Sequence, residues 1–510
     1  MRGQAEAGPF FFESSKVMSY RTARVLIAGI STFLLADAAY AHYMTEPYVL
    51  PVPFWLYVYA CAATLVVTFA ILGYFFGAST AGPTVRFWDI RSTRTWSVVG
   101  RWVLGTLRIG SVACLSLTII AGRIGTLDST QNISMTLFWI MFLLGFTYLT
   151  AIIGNLFELI NPWRVIVEWV AKLLRVNAEN GRFKYPGRLG YYPAFVFYAI
   201  LIWIELFVLP NPSILANVLI VYSLITFVGV GLFGATAWFR FADIFSVFFR
   251  MVATLAPVEY VRSGPERSWR VRLRLPFAGA LTERPEHISL VLVVLFMLAS
   301  TAYDAIHETE VWLNFYWKFL IVLAQPLWGT DMAKAQGALM HWYSVYQHAG
   351  LLLSPFVYLA LYFLVIAWTK SLTKTTMSWR ALALHFIPSL VPIAFVYNVS
   401  HYYTLLVSEA ARFPYLMSSP FGFGWNLLGV GEPAKPTYID MAVIWHTQVG
   451  LILIGHVVSV YLAHLIALRV FPSRKQAVLS QIPLLLLMVA YTAIGLYLLS
   501  LPLSVSQLRE

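Results

Sequence analysis

Charge and cysteine are what this chain has least of. Only 11% of its 510 residues are Asp, Glu, Lys or Arg, less than half the usual share of a soluble domain. With so few charges a water-facing surface cannot be assembled, so an ordinary soluble enzyme is excluded. Cys61 and Cys114, the two cysteines, both lie inside apolar runs, which excludes a disulfide framework and a thiolate metal site. The chain also lacks a P-loop, GxGxxG, HExxH, CxxC or CxxCH pattern and any clear internal repeat, so nucleotide-binding and common metallo- or haem-protein signatures are missing.

What is present is apolar. Hydrophobic residues make up 59% of the chain and aromatics 16%, with 18 Trp, and the mean hydropathy is +0.73. Runs long enough to span a bilayer begin near Arg24, Val52, Trp102, Ile133, Gly190, Ile214, Ile288, Val345, Ala381, Met441 and Leu479. The sequence therefore predicts an all-α, polytopic bundle of about eleven transmembrane helices, with the lipid bilayer as its first partner. The count is ten if the first run is removed. Arg21 and Arg24 precede a short apolar stretch and Ala39-Tyr40-Ala41, so residues 1–41 read as a signal peptide or signal anchor and 42–510 as one membrane domain. Cleavage after Ala41 would leave His42 as a terminal residue able to chelate copper.

The net charge of +12 does not point to nucleic acid, because its basic residues sit in short clusters between apolar runs. Arg86 to Arg101, Arg164 to Arg188, Arg240 to Arg284, Lys370 to Arg380 and Arg469 to Lys475 fall in alternate loops, the pattern that holds loops on the cytoplasmic side. The segments Gly122 to Asn132, Ala305 to Ser344 and Leu406 to Asp440 then face outwards, and the setting is a bacterial inner membrane. Residues 239–285 form the largest cytoplasmic piece, in which Phe241 to Arg250 has the spacing of an amphipathic surface helix.

Histidines inside the apolar runs are the chemical candidates, because an imidazole in hydrocarbon needs a partner. His446, His456 and His464 share one run from Met441 to Leu468. At about 100° per residue they project within one sector of the helix, spread over roughly 27 Å of axis, so no single ion could touch all three. His456 is predicted to face other helices. His401 ends the preceding run, and in the assigned topology it lies level with His446, His348 and Asp304, with His307 and Asp440 nearby. Imidazoles and carboxylates from four helices have the ligand types for Zn, Mn or Fe, and such an ion would lower the pKa of a bound water. The structural alternative is that each is an interfacial side chain bonded to backbone or water. A bis-histidine haem is the competing use, through His401 with His446 or His385 with His464, and buried Glu205, Asn155 and Glu158 would suit a transport path. Asn161-Pro162-Trp163-Arg164 reads as a helix terminus anchored at the interface.

Several segments resemble a family of bacterial multi-pass membrane proteins commonly labelled fenitrothion hydrolase. They are Leu50-Pro-Val-Pro-Phe-Trp-Leu56, Asn161-Pro-Trp-Arg164, Ser300-Thr-Ala-Tyr-Asp304, Ser389-Leu-Val-Pro-Ile-Ala394, Ser400-His-Tyr-Tyr-Thr-Leu-Leu406, Ser419-Pro-Phe-Gly-Phe-Gly-Trp425, Gly455-His-Val457 and Ala463-His464. The resemblance implies Asp304, His401, His456 and His464 as family positions and metal-assisted hydrolysis of an apolar organophosphorus ester. His446 departs from it, an aromatic residue being usual there. On this reading Asp304, His348, His401, His446 and His456 are metal ligands, with His401, Asp304 and His446 catalytic. Haem- or copper-based redox chemistry and transport remain alternatives, and a second subunit is left open.

Overall fold

The computed structural model describes residues 52–75, 85–90, 94–263, 268–283, 285–323, 332–431 and 440–500. The first apolar run, the Ala41 cleavage site and His42 lie outside the described residues. The chain is an all-α polytopic bundle, and among the described residues nine helices are long and apolar enough to cross a membrane. They are α1 (Phe54–Phe75), α2 (Arg94–Ile124), α3 (Ile133–Ile153), α5 (Pro212–Phe233), α7 (Ser289–His307), α8 (Met332–Thr373), α9 (Trp379–Ser418), α10 (Met441–Val470) and α11 (Arg474–Ser500). The run at Gly190 gives a shorter helix, α4 (Tyr192–Phe207). Each expected run within the described residues is thus a helix.

Helix α7 is the innermost of the spans. In α7 every residue but Ile306 is buried, as expected of a helix that is hydrophobic all round. It packs against α4, α8, α9 and α11. A helix that buries all its faces has no lipid-facing side on which to place a polar group, so Asp304, near its end, must be satisfied inside the protein.

Loops of each predicted set meet one another. At the basic end Arg474 donates to the carbonyl oxygens of Gly73 (2.7 Å) and Tyr74 (2.9 Å), and Arg469 donates to Leu281 O (2.6 Å). At the other end Arg412 donates to Thr130 O (2.9 Å), Thr126 N to Phe421 O (2.9 Å) and Ile133 N to Pro420 O (3.2 Å). Asn132 is buried there and caps α3, accepting from Ser134 N while its amide donates to Ala121 O and Thr126 O. A side chain that closes three backbone groups replaces the water they would otherwise need.

Two features of residues 239–285 differ from expectation. The helix lies at Ile244–Ala253 (α6), and Phe245, Val247, Phe249 and Met251 are buried rather than at a surface. Its second face is covered as well: Phe249 meets Phe157 at 4.7 Å and Phe146 at 5.1 Å, and Phe245 stacks on Trp163 at 5.3 Å. The spacing gives the helix, and aromatic rings from α3 and from the segment after it supply a second apolar wall. After α6 come β2 (Val258–Ser263) and β3 (Ser268–Arg274), which with β1 (Phe87–Asp89) make an antiparallel sheet in the order β1-β3-β2. The alternation in Ser268-Trp-Arg-Val-Arg-Leu-Arg274 was the strand signal. Arg274 is buried and donates to Ala253 O (2.8 Å) and Ala256 O (3.0 Å) while pairing with Glu259 (3.2 Å).

Several spans are not continuous α-helix. Residues Thr136–Gly145 are π-helical, Ile387–Leu390 form a 3-10 turn inside α9, and α3 ends at Gly154, whose φ of +86° only glycine adopts easily.

Candidate functional site

Asp304 is the centre of the polar cluster. It is 3% exposed, and its Oδ2 accepts from His401 Nε2 at 2.9 Å and from the Tyr402 hydroxyl at 2.5 Å. The two donors are adjacent residues of α9, so one helix turn delivers both to a single carboxylate oxygen. His307 stands one turn after Asp304 on α7, with Nδ1 bonded to Asp304 O (2.9 Å) and 3.9 Å from Oδ1. That contact places the proton on Nδ1 and turns Nε2 towards Glu308 Oε1, 4.0 Å away. Glu205, from α4, lies within electrostatic reach of Asp304, and Tyr198, two turns earlier on the same helix, bonds Ser300 of α7. Three carboxyl groups and two imidazoles from three helices therefore converge at the end of the bundle opposite the basic loops. Glu308 lies just beyond α7, where burial and then Asp304 push its pKa up to about 8.

The depth reading of the sequence brought Asp304 and His401 together correctly. It did not place His348 and His446, because depth says nothing about which way a helix face points. Gln448 of α10 donates to Ser400 O at 3.1 Å, so His446 is level with His401, yet it is exposed, bonded to Ala442 O and set 6.3 Å from the Tyr57 ring of α1. His348 is half-buried, bonds Ser344 O and packs on Phe207 at 4.4 Å. Asp440 is exposed and caps α10 by accepting from Ala442 N at 2.7 Å. His456 does face the interior, at 3% exposed, with Nδ1 bonded to Ile452 O, but in mid-membrane and apart from Asp304.

The proposed ligand set of Asp304, His348, His401, His446 and His456 therefore does not assemble. Among the described residues no three His, Cys, Asp or Glu side chains come together as metal ligands. Copper at His42 lies outside the described residues. The haem pairs fare no better by orientation: His401 turns to Asp304 while His446 points outwards, and His385 is exposed while buried His464 bonds Gln481 Oε1 at 3.1 Å.

Other polar residues are structural. Asn161 caps the helix Pro162–Leu174 and its amide donates to Asp243 Oδ2 (3.1 Å), which also accepts from Ser246, while Tyr222 donates to Oδ1. The expected helix terminus is there, and a buried carboxylate holds it. Asn155 bonds Glu158 at 3.2 Å beside the Gly154 break. Tyr402 and Glu308 are the site residues that the sequence reading passed over. The signal was local: Tyr402 adjoins His401, and Glu308 adjoins His307.

Comparison with known families, characterised proteins and solved structures finds no match to this chain.

Proposed function

We propose that this chain is a proton-coupled transporter of the bacterial inner membrane, its basic loops cytoplasmic, and that the cluster around Asp304 exchanges protons for a small cation. The observation that carries this reading is the convergence of Glu205, Asp304 and Glu308 with His307 and His401 inside a membrane bundle. Ionisable groups are costly in hydrocarbon and are retained there chiefly for proton or ion movement. Mechanistically, Tyr402 and His401 hold Asp304 as an acceptor. A proton arriving at Asp304 weakens both contacts and frees His401, while its loss restores them, so each cycle toggles α7 against α9.

The test is flux in proteoliposomes that contain the full chain and a pH-sensitive dye. Imposed gradients of Na+, K+ and small organic cations should drive proton movement with the native chain. Asp304→Asn should lower the rate at least about tenfold, and His385→Ala, near the basic end, should leave it unchanged. Native-level flux in Asp304→Asn would sink the reading.

Hydrolysis of an apolar organophosphorus ester is the second reading. It draws on the family resemblance and on one observation, the His401 to Asp304 contact, in which a carboxylate orients an imidazole as it would a general base. Release of nitrophenol from an apolar nitrophenyl phosphotriester in detergent, with no gradient and lost in His401→Ala, would favour it over transport.

A further inference from the structure

A second polar site lies deeper in the bundle, where α7, α8, α9, α10 and α11 meet around a small cavity. Its space for the centre of a water molecule is about 20 Å³, enough for about one water. His456, Tyr397, Tyr491, Tyr358, Leu298 and Ala302 line it, and no charged side chain does. His456 is 3% exposed, and its Nδ1 lies 2.8 Å from Ile452 O. A carbonyl oxygen only accepts, so Nδ1 carries the proton and Nε2 presents a lone pair. That Nε2 has no hydrogen-bond partner in the protein, and neither do the hydroxyls of Tyr397 and Tyr491. Three buried polar groups thus border one water-sized space, where each alone would cost free energy. Two of them can donate and one can only accept, and a water satisfies such a set.

We propose that this cavity binds one water molecule, held by His456 Nε2, Tyr397 and Tyr491, and that His456 is thereby the proton-accepting station of mid-membrane. The transfer balances for an excess proton arriving at the water: the hydronium passes one proton to the Nε2 lone pair, leaving a neutral water and an imidazolium whose Nδ1–H stays on Ile452 O, and the proton returns to the water by the same bond. Position gives the station a place in a path. Tyr397 is one helical turn from His401 on α9 and within electrostatic reach of Asp304. On the other side Ser459 Oγ and His464 Nε2 are buried without partners further along α10. The water site stands on the cavity alone, and only its link to Asp304 rests on the transport reading above.

The experiment is solid-state NMR of the full chain in lipid bilayers with ¹⁵N-histidine, reading polarisation transfer from water to each ring nitrogen. The expected result is a neutral His456 with Nδ1 protonated and a clear water transfer to Nε2, reduced at least about twofold in the Tyr397→Phe, Tyr491→Phe double variant, which keeps both rings. A dry Nε2, the opposite tautomer, or transfer unchanged in the double variant would each overturn the site. Loss of transport in the flux assay leaves this measurement intact, so the two readings fail separately.

Discussion

Asp304 shows how a single carboxylate can be kept inside an apolar bundle. Two donors from α9 reach one of its oxygens, and removing one partner of such a buried pair typically costs about 3–5 kcal/mol because the other is left unsatisfied. His401→Ala should therefore lower thermal stability markedly, as read by the unfolding midpoint in detergent, while Tyr402→Phe, which loses one hydroxyl from the same oxygen, should cost about 1–3 kcal/mol. Equal, negligible effects would mean that Asp304 is held by other groups. Glu308 supplies a pH test. Its pKa is pushed up to about 8 from an ordinary 4.5 by burial and then by Asp304, so the folded protein keeps a proton that the unfolded chain gives up. Its contribution should be favourable below about pH 4.5 and be lost as pH rises to about 8. Glu308→Gln should flatten that part of the stability profile.

Among the elements, the sheet is held through Arg274, whose guanidinium ties β3 to the carbonyl oxygens of Ala253 and Ala256, at the end of α6. Gly279 makes room for it, since a β-carbon there would stand 2.3 Å from Arg274 Nη2. Arg274→Met should leave two buried carbonyls without their donor and cost about 3–5 kcal/mol, against less than about 0.5 kcal/mol for Arg270→Met, an exposed residue of the same strand. Gly279→Ala should mimic the Arg274 change by displacing the guanidinium. Circular dichroism melts of the three variants would separate these outcomes. Helix interruptions act on the same scale: the π-helical stretch of α3 and the 3-10 turn of α9 set the faces that Phe142 and His401 present, which no regular 3.6-residue projection gives.

For the whole molecule, the two sets of loops segregate as the charge alternation requires, through Arg474 at one end and Arg412 at the other. Cysteines introduced at Lys374 and at Arg412 should label from opposite sides of the membrane, Lys374 from the basic, cytoplasmic side. Labelling from one side would reverse half of the bundle and separate Asp304 from its proposed access.

The helical class, the positions of the spans and the grouping of basic loops were fixed along the chain itself, because they depend on transfer of contiguous apolar segments and on charge counted in short loops. Depth followed too, since rise per residue is constant, and it put Asp304 beside His401. Azimuth did not follow. Whether His446 turns to Tyr57 or to Asp304, whether α6 lies on a surface or under Phe157, and whether Tyr397 and Tyr491 line one cavity with His456 depend on how helices rotate as they pack. Rotation is set by side chains far apart in sequence and by local breaks such as Gly154, so only the tertiary structure decided it.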